Sequence, residues 1–164
     1  MIELIVIDVD GTLTDGKIYY SNSGEEIKAF NIKDGLMIKS WNTLGKKSAI
    51  ITGRTSKIVE KRAKELDITY IKQGIRNKIE TLDEIIRELD ITYSEVAVIG
   101  DDMNDLSMLQ AVKKSFAPYD ANSHIYDLVN YPLKKRGGEG AVAEMIEILL
   151  KEDKIFDRFL GLWQ

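Results

Sequence analysis

Leu4-Ile5-Val6-Ile7-Asp8-Val9-Asp10-Gly11-Thr12-Leu13-Thr14-Asp15-Gly16 runs four apolar residues straight into two carboxylates spaced two apart, followed by a glycine. An unbroken apolar run of this length reads as a strand buried on both faces, the habit of parallel sheets. In extended backbone, residues i and i+2 point the same way, so Asp8 and Asp10 share one side if the strand persists; if the chain turns at Gly11, Asp10 folds back over Asp8. Carboxylates that close repel each other. The repulsion is tolerable when a cation, a shared proton or a donor such as the Thr12 hydroxyl offsets it. A hard divalent cation with oxygen ligands, Mg²⁺ above all, suits such a place. The plainer alternative is an acidic turn that caps the segment after it.

Two further apolar runs end in polar chemistry. Ser48-Ala49-Ile50-Ile51-Thr52-Gly53-Arg54 closes on a hydroxyl, a glycine and a guanidinium. An O–H and free backbone N–H groups at a strand end suit phosphate oxygens, while Thr55 or Ser56 is placed to cap a following helix, and both readings can hold at once. Val96-Ala97-Val98-Ile99-Gly100-Asp101-Asp102-Met103-Asn104-Asp105 closes on three carboxylates within five positions. Asp101, nearest the strand end, is the best candidate cation ligand. Asp105 lies about one helical turn further on and either supports the site from behind or simply sits well in the first turn of a helix; Asp102 reads as the latter. Between these runs, Gly74-Ile75-Arg76-Asn77-Lys78-Ile79-Glu80-Thr81-Leu82 opens an amphipathic helix with Ile75, Ile79, Leu82, Ile85, Ile86 and Leu89 on its apolar stripe. A lysine in a first helical turn works against the helix dipole, so Lys78 has a reason to be engaged elsewhere, by a phosphate beside the carboxylates. Arg76 and Lys72 are rivals for that role.

Strands are predicted near 3–8, 47–52, 68–71, 96–100 and 114–117, and helices near 34–44, 56–66, 76–89, 103–112 and 140–151. Their alternation predicts an α/β fold, a doubly wound and mostly parallel sheet in which the strand ending at Asp8 lies between those ending at Thr52 and Asp101. The 164 residues, 44% apolar and 30% charged, suffice for one sizeable core, and no linker or repeat divides them, so one domain over 1–164 is expected. A net charge of −4 without a long basic run argues against nucleic acid or an anionic membrane as partner. No apolar stretch is long enough to span a bilayer and the N-terminus lacks a basic leader before an apolar core, so a soluble cytoplasmic protein is expected. With no cysteine, disulfides, thiolate nucleophiles and zinc–thiolate sites are excluded.

Asp10 lies 42 positions before Thr52, Thr52 lies 26 before Lys78, and Lys78 lies 23 before Asp101, intervals that the predicted helices and strands use up. No separate domain fits over the site. What does fit is a β-hairpin at about 17–31, two β-rich runs around Ser21-Asn22-Ser23-Gly24. An isolated hairpin is marginal in water, so its edge and aromatics are expected to pair with another subunit in a homo-oligomer, or else to pack on their own domain. The tail at about 153–164, with Phe156, Phe159 and Trp163, is too apolar to be a frayed end and docks either on its own domain or into a neighbouring subunit.

Asp8-Val9-Asp10-Gly11-Thr12, Thr52, Lys78, and Gly100-Asp101-Asp102 with Asp105 resemble, in order, the four motifs of haloacid-dehalogenase (HAD) superfamily phosphatases. Within that superfamily the capless spacing, Phe30-Asn31-Ile32-Lys33-Asp34-Gly35 and Gly137-Gly138-Glu139-Gly140-Ala141-Val142 resemble the 3-deoxy-D-manno-octulosonate 8-phosphate phosphatase family, which carries a basic residue where Ala143 stands here. The resemblance implies a Rossmann-like core without a cap domain and a homotetramer. It implies hydrolysis of that sugar-acid phosphate, a lipopolysaccharide precursor, through an aspartyl-phosphate on Asp8, with Asp10 as acid and then base. It further implies Mg²⁺ on the Asp8 carboxylate, the Asp10 backbone carbonyl and Asp101, with Asp105 behind them, and Thr52, Gly53 and Lys78 on the phosphate. For the substrate carboxylate, Lys33, Arg54 and Arg62 are the candidates, each weighed against a role as a solvated charge. His124 reads as structural, and Gly137 and Gly138 as loop formers. Alternatives are the same chemistry on a nine-carbon sugar-acid phosphate or another small phosphorylated metabolite, or a catalytically silent oligomerisation domain.

Overall fold

The computed structural model describes residues 1–164. Its main sheet has six strands, β1 (Leu4–Ile7), β4 (Lys47–Ile51), β5 (Tyr70–Lys72), β6 (Val96–Ile99), β7 (Lys114–Ala117) and β8 (Tyr131–Pro132), in the order β5-β4-β1-β6-β7-β8. Every neighbouring pair in it is parallel. β1 is central, with Ile7 level with Ile50 of β4 and with Ile99 of β6, so the three chemistry-bearing strands end side by side.

Alternation along β1 divides its residues between two cores. Ile5 and Ile7 pack with α1 (Ile32–Thr43), α2 (Lys57–Glu65) and α6 (Ala141–Glu152), through Met37, Ile38, Trp41, Val59, Ala63, Met145 and Leu149. Leu4 and Val6 face the other way, towards α3 (Lys78–Leu89), α4 (Leu106–Ala111) and α5 (Ser123–Leu128), through Leu82, Ile85, Met108, Leu109 and Ile125. Each buried Val, Leu, Ile or Met side chain among these contributes roughly 1.5–3 kcal/mol. Two apolar layers therefore clamp the strand whose end carries Asp8.

Boundaries differ from the sequence reading where local chemistry decides them. The helix expected from 76 begins at Lys78, with Asn77 at its N-cap position, and the one expected from 103 opens as a tight turn over Met103–Asp105 before α4. Of the two candidate caps before α2, Ser56 does the work, accepting from the Ile58 N–H at 3.2 Å. β8 and α5 carry no signal in the sequence: two and six residues are too short to show a period. The hairpin is present as β2 (Tyr19–Tyr20) and β3 (Glu26–Ile27), an antiparallel pair separate from the main sheet, with Ile18, Tyr19, Tyr20 and Ile27 exposed. In the tail, α7 (Phe156–Leu160) packs Phe156 and Phe159 against the α1/α2/α6 core, while Leu162 and Trp163 stand exposed over a groove of about 530 Å³ beside Ile32, Leu36 and Arg62. No helix is long and apolar enough to cross a membrane.

Candidate active site

The site begins where β1 runs out. The Asp8 N–H still donates to the Ile99 carbonyl at 3.1 Å, the last rung of the ladder, and the chain then swings through a wide turn over Val9–Leu13. Gly11 permits that turn twice over. Its φ of +96° disfavours an L side chain, and a Cβ there would lie 2.0 Å from Asp101 Oδ2. At Gly100 a Cβ would come within 2.5 Å of the Asp105 carboxylate carbon. Bare backbone at the ends of β1 and β6 thus lets the carboxylates crowd together. Gly137 lies against the same turn, where a Cβ would be 1.9 Å from the Gly11 carbonyl, so its smallness serves packing.

Lys78, 2% exposed, ties two strand ends together. Its ammonium donates to Asp8 Oδ1 at 2.7 Å and to Asp105 Oδ1 at 2.6 Å. The second Asp105 oxygen accepts from the N–H groups of Asp101 at 3.0 Å and Asp102 at 3.3 Å. Asp105, 0% exposed, is therefore fully engaged within the protein. Asp101 Oδ1 accepts from the Thr12 hydroxyl at 3.1 Å. Asp102 caps the turn that follows it, its Oδ1 accepting from the Met103 N–H at 2.8 Å, as expected of a first-turn carboxylate.

Oxygens of Asp8, Asp101 and Asp105 all lie within 4.8 Å of one another. Three carboxylates face one ammonium, which leaves two negative charges unbalanced. The imbalance shows in the acidities. Burial, then the charge of Asp105, pushes Asp8 up to about 6 despite Lys78, and burial with the charges of Asp8 and Asp105 pushes Asp101 up to about 8. Burial works against the Lys78 ammonium, yet Asp8 and Asp105 hold it above the usual lysine value. A divalent cation with a taste for oxygen matches this set in charge and chemistry, and Mg²⁺ fits it. With Asp105 committed to Lys78 and backbone, Asp8 and Asp101 retain free carboxylate oxygens.

A stability measurement follows from those acidities. An acid raised in the folded state binds more protons folded than unfolded, so stability falls as pH rises from the unfolded value of 3.8 through about 6 for Asp8 and about 8 for Asp101. In EDTA, the denaturant midpoint should decline across pH 4 to 8. Millimolar Mg²⁺ should flatten the decline, and equal slopes with and without Mg²⁺ would show that the carboxylates do not feel the ion.

Asp8, Asp10, Thr52, Gly53, Arg54, Asp101, Asp102 and Asn104 line one pocket of about 130 Å³ without an apolar residue, a space for a small anion rather than a whole sugar. Thr52, 3% exposed, makes no side-chain hydrogen bond of its own and presents its hydroxyl there. Of the rivals at the third motif, only Lys78 reaches the carboxylates; Lys72 is at the end of β5 and Arg76 is exposed. The three candidate carboxylate binders are not gathered. Arg54 lines the pocket but lies 3.5 Å from Glu26 Oε1. Lys33 is exposed on the first turn of α1 beside a separate groove with Lys134 and Lys135. Arg62 stacks on Phe30 and lies 3.4 Å from Glu65, away from this pocket. Two residues at the site were not singled out from the sequence. Asn104 lines the pocket, and Lys28, 8% exposed, reaches from the hairpin to pair with Asp10. The period of two through Glu26 and Lys28 was the only available signal for the latter.

A family model described as haloacid dehalogenase-like hydrolase matches residues 71–146, and that is the class of enzyme that this sheet order and these acidic strand ends define. The chain is 42% identical over 160 residues to 3-deoxy-D-manno-octulosonate 8-phosphate phosphatase of Escherichia coli K12, covering 98% of this chain and 85% of that one. Among solved structures it resembles the Moraxella catarrhalis enzyme of the same name, in complex with magnesium ion, phosphate ion and KDO, with a TM-score of 0.95 and 39% identity over 99% of this chain and 94% of the other. It also resembles the cobalt-bound Haemophilus influenzae phosphatase, with a TM-score of 0.87 and 35% identity over 92% of this chain and 88% of that one. The chain belongs to the 3-deoxy-D-manno-octulosonate 8-phosphate phosphatase family, a family of phosphoric monoester hydrolases.

Proposed function

We propose that this chain, a single HAD-like domain over 1–164, hydrolyses 3-deoxy-D-manno-octulosonate 8-phosphate to the free sugar acid and phosphate. The observation that carries this reading is the Lys78 bridge between Asp8 and Asp105 beside Asp101. It prepares a buried carboxylate for attack on an anion, in a chain nearly as long as relatives that bear the activity in their names. Asp8 attacks phosphorus; the bond to the sugar oxygen breaks, and Asp10 gives that oxygen its proton. Asp10 then takes a proton from the water that hydrolyses the aspartyl-phosphate, which releases phosphate and restores Asp8. Lys78, the Thr52 hydroxyl and the Gly53 N–H hold phosphate oxygens. The Asp8 carboxylate, the Asp10 carbonyl and Asp101 would hold Mg²⁺, with Asp105 fixing Lys78 and the 101–102 backbone behind them. Bound there, the ion supplies positive charge against the transferring phosphoryl group.

The test is phosphate release over a panel of sugar phosphates, with and without Mg²⁺. The eight-carbon sugar-acid phosphate should give the highest kcat/KM, and release should stop in EDTA. A nine-carbon sugar-acid phosphate ranking first would reassign the substrate while keeping the chemistry, an outcome that Ala143 makes worth including. No release from any of them would leave an oligomerisation domain.

The exposed Tyr19, Tyr20 and Ile27 of a hairpin with only two residues in each strand support a homo-oligomer, the tetramer of the proposed assembly. Sedimentation at micromolar concentration should show four chains, and a monomer there would remove the idea. The absence of cysteine fits a reducing, cytoplasmic setting.

A further inference from the structure

Lys28 stands out as a buried cation that the reaction above does not use. Its side chain is 1% exposed, and its ammonium pairs with Asp10 Oδ1 and lies 3.2 Å from Glu26 Oε1. Glu26 in turn lies 3.5 Å from the Arg54 guanidinium on the far wall of the pocket. Glu26 and Lys28 flank Ile27 and turn their charged ends to the site together, whereas Ile27 between them is 52% exposed. The contact with Lys28 is the one side-chain hydrogen bond that the Asp10 carboxylate makes. The hairpin thereby delivers a charge to the residue that must move protons.

We propose that Lys28 is a positioning residue for Asp10, fixing which of its two carboxyl oxygens carries the transferable proton. This rests on the reading of Asp10 as acid and base. An ammonium donates hydrogen bonds and accepts none, so the Asp10 oxygen that receives the Lys28 N–H cannot also present a proton towards it. When Asp10 is protonated the proton resides on Oδ2, the oxygen left for the leaving group. As the phosphorus–oxygen bond breaks, its electron pair stays on the sugar oxygen, the Oδ2 proton passes to that oxygen, and Asp10 is left as a carboxylate paired with Lys28⁺. That carboxylate is the base of the second half-reaction. Glu26, 3.2 Å from the Lys28 ammonium, holds it from the other side.

Substrates that differ in their need for a proton give the test, read as kcat/KM because that constant ends at leaving-group departure. The sugar-acid phosphate expels an alkoxide and needs the acid; 4-nitrophenyl phosphate expels a stable phenolate and does not. Lys28→Met should lower kcat/KM for the sugar-acid phosphate roughly 10- to 100-fold while changing that for 4-nitrophenyl phosphate by less than about 3-fold. Glu26→Gln, which leaves Asp10 and Lys28 in place, should shift the ratio of the two constants in the same direction by a smaller factor, and decides the matter if Lys28→Met fails to fold. Asp10→Asn runs alongside. If it retains full activity on the sugar-acid phosphate, the acid–base reading of Asp10 is wrong and the premise goes with it. If Asp10→Asn is impaired but Lys28→Met leaves both substrates unchanged, or lowers both equally, the positioning role is overturned while the reading of Asp10 stands.

Discussion

An Asp8→Asn variant should lose phosphate release by on the order of 10⁴-fold or more while folding at least as well as the parent. The first half follows from removing the nucleophile: Asp105 is spent on Lys78 and two backbone N–H groups, and Asp101, on the neighbouring strand end, is the carboxylate assigned to the ion. The second half follows from electrostatics. Burial and Asp105 raise Asp8 to about 6, so near pH 7.5 its ionised form is less welcome in the folded protein than in the unfolded chain. A neutral amide still accepts from Lys78 and removes one of three crowded charges. Phosphate release and the denaturant midpoint in EDTA, measured on the same preparation, separate the two halves. Turnover within tenfold of the parent would defeat the assignment of the nucleophile.

Lys78→Met should do the opposite to stability. The lysine is the one cation between two buried carboxylates, its side chain 1% exposed, and methionine retains its bulk without its charge. Taking one partner from a buried ion pair costs about 3–5 kcal/mol, because the carboxylates left behind are neither solvated nor paired. Against a total of about 5–15 kcal/mol for a domain, that is a large share. The denaturant midpoint in EDTA should fall steeply, and millimolar Mg²⁺ should recover part of the loss by replacing some of the missing positive charge. Phosphate release should stay absent even where the fold is recovered, since the ammonium that holds a phosphate oxygen directly beside Asp8 is gone. A midpoint equal to that of the parent in EDTA would show that the bridge carries no stability.

These residues could be found in the sequence because each sits at the end of an apolar run. Burial on both faces of a parallel strand forces a long hydrophobic stretch, and the first polar residue after it falls at the carboxyl edge of the sheet, where ligands bind. Asp8, Thr52 and Asp101 share that signal, and the neighbouring registers Ile7–Ile50 and Ile7–Ile99 put them side by side. Lys78 was legible through a conflict, a cation in the first turn of a helix. Lys28 offered no such conflict: it lies just past a strand whose ladder is two residues long, and its partner Asp10 lies 18 positions away by a contact that only the folded hairpin creates. The basic residues around the rim were the least legible. Arg54, Lys33 and Arg62 were singled out by charge alone, and charge does not say which face of a helix will look into the pocket. The rotation of α2 places Arg62 over Phe30 instead.

The parallel arrangement of the sheet also governs when the acidic centre can come into being. Ile7 meets Ile50 across 43 positions and Ile99 across 92, so no short piece of chain holds even two of the three strand ends. Closing loops of that length is slow, and the reward arrives only once both have closed. Uptake of Mg²⁺ during refolding should therefore trail the formation of helices and coincide with the final cooperative step, which makes the ion a reporter of completed topology.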